Sequence, residues 1–415
     1  MMLTVNVIPA LLLTAVVGVV LALTNILGSW AYDIKELEKQ KKQKQHPFSR
    51  AYRQRPLISV IIPARNNAAT MQLCLESMYQ SSYRKIEIIV IDNVSHDATR
   101  KIVHSFILNH PKFAVRLVAK RKSTNRLENI RTAYQKYAHG KIVMVLSPES
   151  ILDKQALKNA VKHFNSDSST RILVPHLRTA IDYKVSGLLQ VYKEFTLARW
   201  KKFSSMARLA NTLSLSDIIV ANDSFATLLK SFQASGNSSN SLVLVPGAQT
   251  RAYYASDVAI MLQPPRSFYQ LCKRHALTQF KYIRALTEHF RDLFRGNNFT
   301  AHVKAVGYLL FIICLGVVCL LLPLIATYFI YLTFSLHEPG LLLFGMGIVS
   351  IFVLSAVWSD ELVRVRRKLL YTLLLPVTFG VAYVMAFLQI IVIIAGIVMS
   401  LPVSLSARQK LIRQQ

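Results

Sequence analysis

Acidic residues are scarce in this chain: its 415 residues hold 21 Asp+Glu against 50 Lys+Arg, a formal net charge of +29 at pH 7. Cysteine is scarcer, with four in all. Cys314 and Cys319 sit in one apolar stretch, Cys74 in a helical pattern and Cys272 in a basic segment. No pair has zinc-ligand spacing, and four thiols so placed exclude a disulfide framework. The eleven histidines form neither HxxxH nor HExxH, so they read as solvated or as satisfied core residues. The chain has no GxGxxG and no GxxxxGK[ST], which excludes a dinucleotide fingerprint and a P-loop. It also lacks a DNA- or RNA-binding motif, so the positive charge points to anionic lipid headgroups or a phosphate-bearing substrate rather than to nucleic acid.

Apolar residues make up 52% of the sequence, high for a wholly soluble protein. Residues Leu3–Gly28 are uncharged and long enough to span a bilayer, and Lys35, Lys39, Lys41, Lys42 and Lys44 follow. That order predicts an uncleaved anchor with its N-terminus outside. Three further apolar stretches, Val303–Phe334, Leu341–Trp358 and Leu369–Leu401, predict C-terminal spans. The loop at 335–340 has no Lys or Arg, whereas the loop at Arg364, Arg366, Arg367 and Lys368 is basic. Both place the segment between them and the anchor in the cytoplasm, in an inner or plasma membrane protein. The expected organisation is an anchor over 1–30, a basic linker over 31–55, a cytoplasmic domain over 56–302, three spans over 303–402 and a basic tail over 403–415.

The central domain alternates apolar runs with amphipathic segments. Ile58–Ala64, Glu87–Asp92, Phe113–Ala119, Lys141–Leu146 and Arg171–Leu177 suit strands buried on both faces. Ala68–Tyr79, Asp97–Asn109, Arg126–Ala138 and Lys154–Phe164 read as helices, and Leu188–Leu213 as a further one. This alternation predicts an α/β domain, a mostly parallel sheet with helices on both faces, flanked by transmembrane helices. Ligands of such sheets bind beyond the carboxyl ends of the strands, here Arg65-Asn66-Asn67, Asp92-Asn93 and Ser147-Pro148-Glu149.

Pro63-Ala64-Arg65-Asn66-Asn67 followed by Ile89-Val90-Ile91-Asp92-Asn93-Val94-Ser95-His96-Asp97 resembles the opening of family 2 glycosyltransferases, roughly V-I-P-A-Y-N-E and then V-V-D-D-G-S-x-D. With the flanking spans, the resemblance narrows to the membrane-embedded cellulose, chitin, hyaluronan and poly-N-acetylglucosamine synthase-like group. It implies a GT-A-like fold and an inverting transfer from a nucleotide sugar, UDP-linked in the first instance, to a polysaccharide or lipid-linked acceptor beside membrane lipids.

The resemblance assigns roles residue by residue. Asp92, Asn66 and Lys122 would bind the nucleotide. Ser147 and Glu149 fall on the metal-binding D-x-D, where Mg²⁺ or Mn²⁺ neutralises the departing diphosphate. Asn222-Asp223 falls on an E-D pair, making Asp223 the base that deprotonates the acceptor. Gln270, Lys273 and Arg274 fall on Q-x-x-R-W, which secures the acceptor and diphosphate. The chain departs from the pattern at Asn93, Ser147, Asn222, Lys273 and Arg274. These departures are what a catalytically inactive scaffold, partnered with an active synthase subunit, would also show. Plainer readings stay open. Asp223 suits a helix N-cap and Glu149 a first helical turn. Asp217 and Asp257 are rival bases, and Trp200 suits interfacial packing as well as sugar stacking.

Overall fold

The structure is a computed structural model. It describes residues 2–45, 55–166, 170–179, 185–206, 211–234, 242–245, 252–264, 267–274, 276–278, 339–360 and 363–376, with isolated positions between 327 and 337 and at 390. In chain order the elements are α1 (Met2–Gln45), β1 (Ile58–Ala64), α2 (Ala68–Tyr79), β2 (Ile86–Asp92), α3 (Thr99–Asn109), β3 (Val115–Ala119), α4 (Arg126–Tyr137), β4 (Ile142–Val145), β5 (Ser150–Leu152) and α5 (Ala156–Ser166). Then come β6 (Ile172–Thr179), α6 (Val185–Met206), β7 (Asn211–Ser214), β8 (Ile218–Ala221), α7 (Asn222–Ala234), β9 (Leu242–Val245), β10 (Ala252–Leu262) and α8 (Pro339–Trp358).

Strand β1 shows why the sheet forms. All seven of its residues are buried, and successive side chains point to opposite faces. Ile58, Val60 and Ile62 pack with Met71, Leu75 and Val103 of α2 and α3 and with Leu157 of α5. Ile61 packs on the other face with Ile130 of α4 and Phe225 and Phe232 of α7. Each such side chain contributes roughly 1.5–3 kcal/mol when fully buried. Ser59 also points to that second face. Its Oγ donates to Glu87 Oε1 at 2.6 Å and accepts from Gly140 N at 2.8 Å. A Cβ on Gly140 would lie 2.6 Å from Ser59 N and 2.7 Å from Leu57 O, so only glycine lets the chain enter β4 this close to β1.

Eight strands form one sheet in the order β3-β2-β1-β4-β8-β6-β10-β5. The pairs β3–β2, β2–β1, β1–β4 and β6–β10 are parallel. The pairs β4–β8, β8–β6 and β10–β5 are antiparallel. The fold is therefore GT-A-like, with a mixed, mostly parallel sheet between two helical layers. The periodicity misses β8 and β5, which are only four and three residues long. It also carries the expected helix over Leu188–Leu213 too far: α6 ends at Met206, and Asn211–Ser214 pairs antiparallel with Leu242–Val245 as a separate ribbon.

Helix α6 joins the sheet to the helices outside it. Its Leu188, Val191, Tyr192 and Phe195 pack with Ala356 and Val357 of α8 and with Tyr371 and Leu375. Lys202 Nζ meets Asp33 of α1 at 2.6 Å, and Tyr32 donates to Tyr254 O at 2.6 Å. Among the described residues no helix is long and apolar enough to cross a membrane. The spans expected over 303–334 and 369–401 fall largely outside the described residues. Those over 3–28 and 341–358 lie in α1 and α8, whose side chains are described only in part.

Candidate functional site

The chain runs outward from β1 through β2 to β3, then returns to place β4 on the other side of β1. Open α/β sheets take their ligands in the crevice beside such a reversal, here at the carboxyl ends of β1 and β4. Three of the positive-φ non-glycine residues lie around it: Asn66 (φ 54°), Val94 (φ 57°) and Asp217 (φ 54°). A β-branched residue such as Val94 is held there at a cost of about 1–3 kcal/mol, and such strain gathers at functional sites.

Asp92 ends β2 with no exposed surface. Its Oδ2 takes the Arg100 Nε at 2.5 Å and the Ser95 N–H at 3.3 Å. Its Oδ1 is buried and has no partner among the described residues. An acceptor so placed costs free energy until a donor reaches it. Beside it, Asn93 Nδ2 donates to Thr124 O at 2.8 Å and Oδ1 accepts from Thr124 N at 2.9 Å. Asn93 thereby clamps the loop 120–125, and Thr124 Oγ1 donates onward to Asn129 Oδ1 at 2.7 Å. An aspartate at 93 has no N–H for the Thr124 carbonyl.

Asn66 serves the neighbouring loop. Its N–H donates to Ser95 Oγ at 3.0 Å and its Oδ1 accepts from His96 N at 2.9 Å. Asp97 accepts from Ala68 N at the start of α2 and from Thr99 N, and the Thr99 hydroxyl holds its carboxyl below the usual range. Lys122 is exposed on the loop after β3, while the nearby Lys120 Nζ turns in to Thr124 Oγ1 at 3.1 Å.

The segment Ser147-Pro148-Glu149 follows β4. Asp217, buried just before β8, accepts from Ser147 N at 3.0 Å and Ser150 Oγ at 2.8 Å, both on Oδ1. Burial raises the Asp217 carboxyl pKa, against the pull of these two hydrogen bonds and of Arg126 and Lys201. Glu149 Oε2 lies 3.5 Å from Arg274 Nη2, and Arg274 Nη1 donates to Gln263 O at 3.3 Å. Thus the helix over 268–274 carries Arg274 back to the crevice. Gln270 lies on the same helix, half-buried, with its N–H donating to Ser267 Oγ at 3.2 Å, and Lys273 is exposed on it.

Asp223, expected to be the base, does not join these residues. Strand β8 runs antiparallel to β4, pairing Val145 with Ile218 and Ile142 with Ala221. Asp217 therefore stands at the carboxyl end of β4 and Asp223 at its amino end, one strand-length away. There Asn222 N donates to Lys141 O at 3.0 Å, and Asp223 pairs with Arg171 at 2.6 Å, both side chains about half exposed. Asp223 lies in the first turn of α7, close to the plainer helix-start reading. Asp257 is also turned elsewhere, its Oδ1 2.6 Å from His163 Nε2.

The residues at the D-x-D position do not fit Mg²⁺ or Mn²⁺, which require several oxygen ligands. Glu149 faces a guanidinium, Asp217 Oδ1 is taken by two donors, and Ser147 offers a hydroxyl. Among the described residues no three His, Cys, Asp or Glu side chains converge to hold a metal. The motif reading passed over Arg100 and Arg126, since neither belongs to a recurring pattern. Their one signal is position, on the first turns of the helices that follow β2 and β3.

The chain is 27% identical over 179 residues to the poly-β-1,6-N-acetyl-D-glucosamine synthase of Staphylococcus epidermidis, covering 41% of this chain and 42% of that protein. It is 26% identical over 163 residues to glycosyltransferase AglE of Haloferax volcanii, covering 39% and 52% respectively. The chain thus spans about half or less of the length of these relatives. Its fold is similar to that of the mannosyltransferase PcManGT from Pyrobaculum calidifontis, solved with GDP-Man and Mn²⁺, with TM-score 0.50 and 18% identity over 92% of this chain and 99% of that one. Residues 59–224 match the family described as glycosyl transferase family 2.

Proposed function

We propose that this chain transfers a sugar from a nucleoside-diphosphate sugar to a hydroxyl of a polysaccharide or lipid-linked acceptor. One observation carries the reading: Asp92 Oδ1, buried and without a partner among the described residues, at the carboxyl edge beside the strained Val94. It is a ready acceptor for N–H or O–H donors of a nucleoside. The family match over 59–224, the sugar-polymer synthase among the relatives and the GDP-Man bound by a solved neighbour support the same class. The acceptor oxygen attacks the anomeric carbon as the bond from that carbon to the phosphate oxygen breaks, and the nucleoside diphosphate leaves from the opposite face. The acceptor proton passes to a carboxylate. Of the three aspartates weighed as base, Asp217 stands at the carboxyl edge, where burial raises its pKa. The excess of Lys and Arg, with the apolar stretches on either side, supports a membrane-bound protein whose domain works at the cytoplasmic face.

Nucleotide release by the purified full chain across UDP- and GDP-sugars tests this reading. One donor is expected to turn over. Asp217→Asn keeps the acceptor atom for Ser147 and Ser150, so it is expected to bind donor and lose transfer by about 10²-fold or more. Unchanged turnover in this variant removes Asp217 as the base. A second reading, a nucleotide-binding scaffold for an active synthase, is favoured by the Glu149–Arg274 contact at the metal position. It predicts donor binding without release.

A further inference from the structure

Two guanidinium groups occupy the corner where the family's pattern calls for a divalent cation. Arg126 opens α4, and its Nη2 donates to Ser216 Oγ at 3.0 Å, beside Asp217. Its Nε is buried and has no partner among the described residues. Burial lowers its pKa, while the negative charges of Asp217 and Glu149 oppose that shift. Arg274, 42% exposed, has its Nη2 3.5 Å from Glu149. Glu149 is thus set against the Arg274 guanidinium, and Asp217 lies within electrostatic reach of Arg126.

We infer that the diphosphate of the donor is held by Arg126 and Arg274, and that its binding requires no divalent cation. The inference rests on the nucleotide-sugar reading above. A diphosphate has the geometry a guanidinium matches best, two oxygens meeting two parallel N–H groups. Arg126 Nε is a buried donor directed by the fold rather than by a surface chain, and a phosphate oxygen would satisfy it. Arg274 is held loosely enough by Glu149 to exchange one anion for another, since a pair this exposed is worth little. Fixed cations of this kind stabilise negative charge gathering on a leaving phosphate, as a bound metal does. The loss of D-x-D and the arrival of Arg274 at the tryptophan position of Q-x-x-R-W then form one exchange: an acidic metal cradle for a basic phosphate cradle.

Calorimetric titration of the full chain in detergent with UDP and GDP, in EDTA and then in Mn²⁺, tests the inference. At least one nucleotide is expected to bind in EDTA with an affinity within about threefold of that in Mn²⁺. Arg126→Gln and Arg274→Gln are each expected to weaken that binding about tenfold or more, with uridine or guanosine binding unchanged within about twofold. Arg274→Gln is the control for folding, because Arg274 is half exposed whereas Arg126 is not. Binding seen only with Mn²⁺ overturns the inference and leaves the nucleotide-sugar reading standing. So does equal weakening of nucleoside and nucleotide. Absence of binding under both conditions overturns both.

Discussion

Asn93 and Thr124 are joined by two hydrogen bonds, side-chain amide to backbone amide, at 2.8 and 2.9 Å. A residue that looks like a lost aspartate is thus the clamp of the loop 120–125. Asn93→Asp is expected to destabilise the protein by about 1–3 kcal/mol, since it strands the Thr124 carbonyl and sets a second negative charge beside buried Asp92. Urea unfolding followed by circular dichroism measures this. A variant as stable as wild type would show that the clamp contributes nothing.

Asp223→Asn is expected to leave nucleotide affinity and turnover unchanged and to shift stability by less than about 1 kcal/mol, because it removes one exposed ion pair with Arg171. Asp92→Asn is expected to lower nucleotide affinity about tenfold or more, since Arg100 loses its carboxylate. Parallel titrations of the two variants decide between them. Loss of turnover in Asp223→Asn alone would restore it as the base.

Gly140→Ala is expected to cost about 1–3 kcal/mol through overpacking. The added methyl meets Ser59 N and Leu57 O, backbone atoms of the central strand and its approach. A thermal unfolding midpoint equal to that of wild type would mean that β1 and β4 part to admit it.

His176 is buried between Tyr254, whose hydroxyl meets its Nδ1, and Asp360, whose Oδ2 lies 3.3 Å from its Nε2. Burial lowers its pKa, against the pull of Asp360. The unfolded chain then binds the proton more readily than the folded one, so stability falls as pH drops below about 6.5 toward the folded-state pKa. Thermal midpoints between pH 5 and 7.5 are expected to show this fall in wild type and a flatter profile in His176→Asn. Matching slopes would assign the effect to other groups.

Much of the architecture is legible in the chain. Ile58–Ala64 and Ile86–Asp92 are largely apolar because both faces of these strands are covered, and that demand is visible in the sequence. The resemblance to a family motif likewise led to Asp92 at the crevice. Asn93 was legible only as a departure, since its partner Thr124 lies 31 residues away. The fate of Glu149 was hidden for the same reason: its partner arrives on a helix 125 residues later.

Local composition settles which segments bury themselves, because hydrophobic periodicity is a short-range property of the chain. It does not settle which end of the sheet a residue faces. Asp217 and Asp223 are neighbours in sequence, yet four residues of β8 carry them to opposite edges. The antiparallel pairing of β8 with β4 and β6, a long-range choice of strand direction, put Asp217 beside Ser147 and Asp223 beside Arg171. The same tertiary packing brought Arg126 and Arg274 to one corner, and only there does their charge acquire a role.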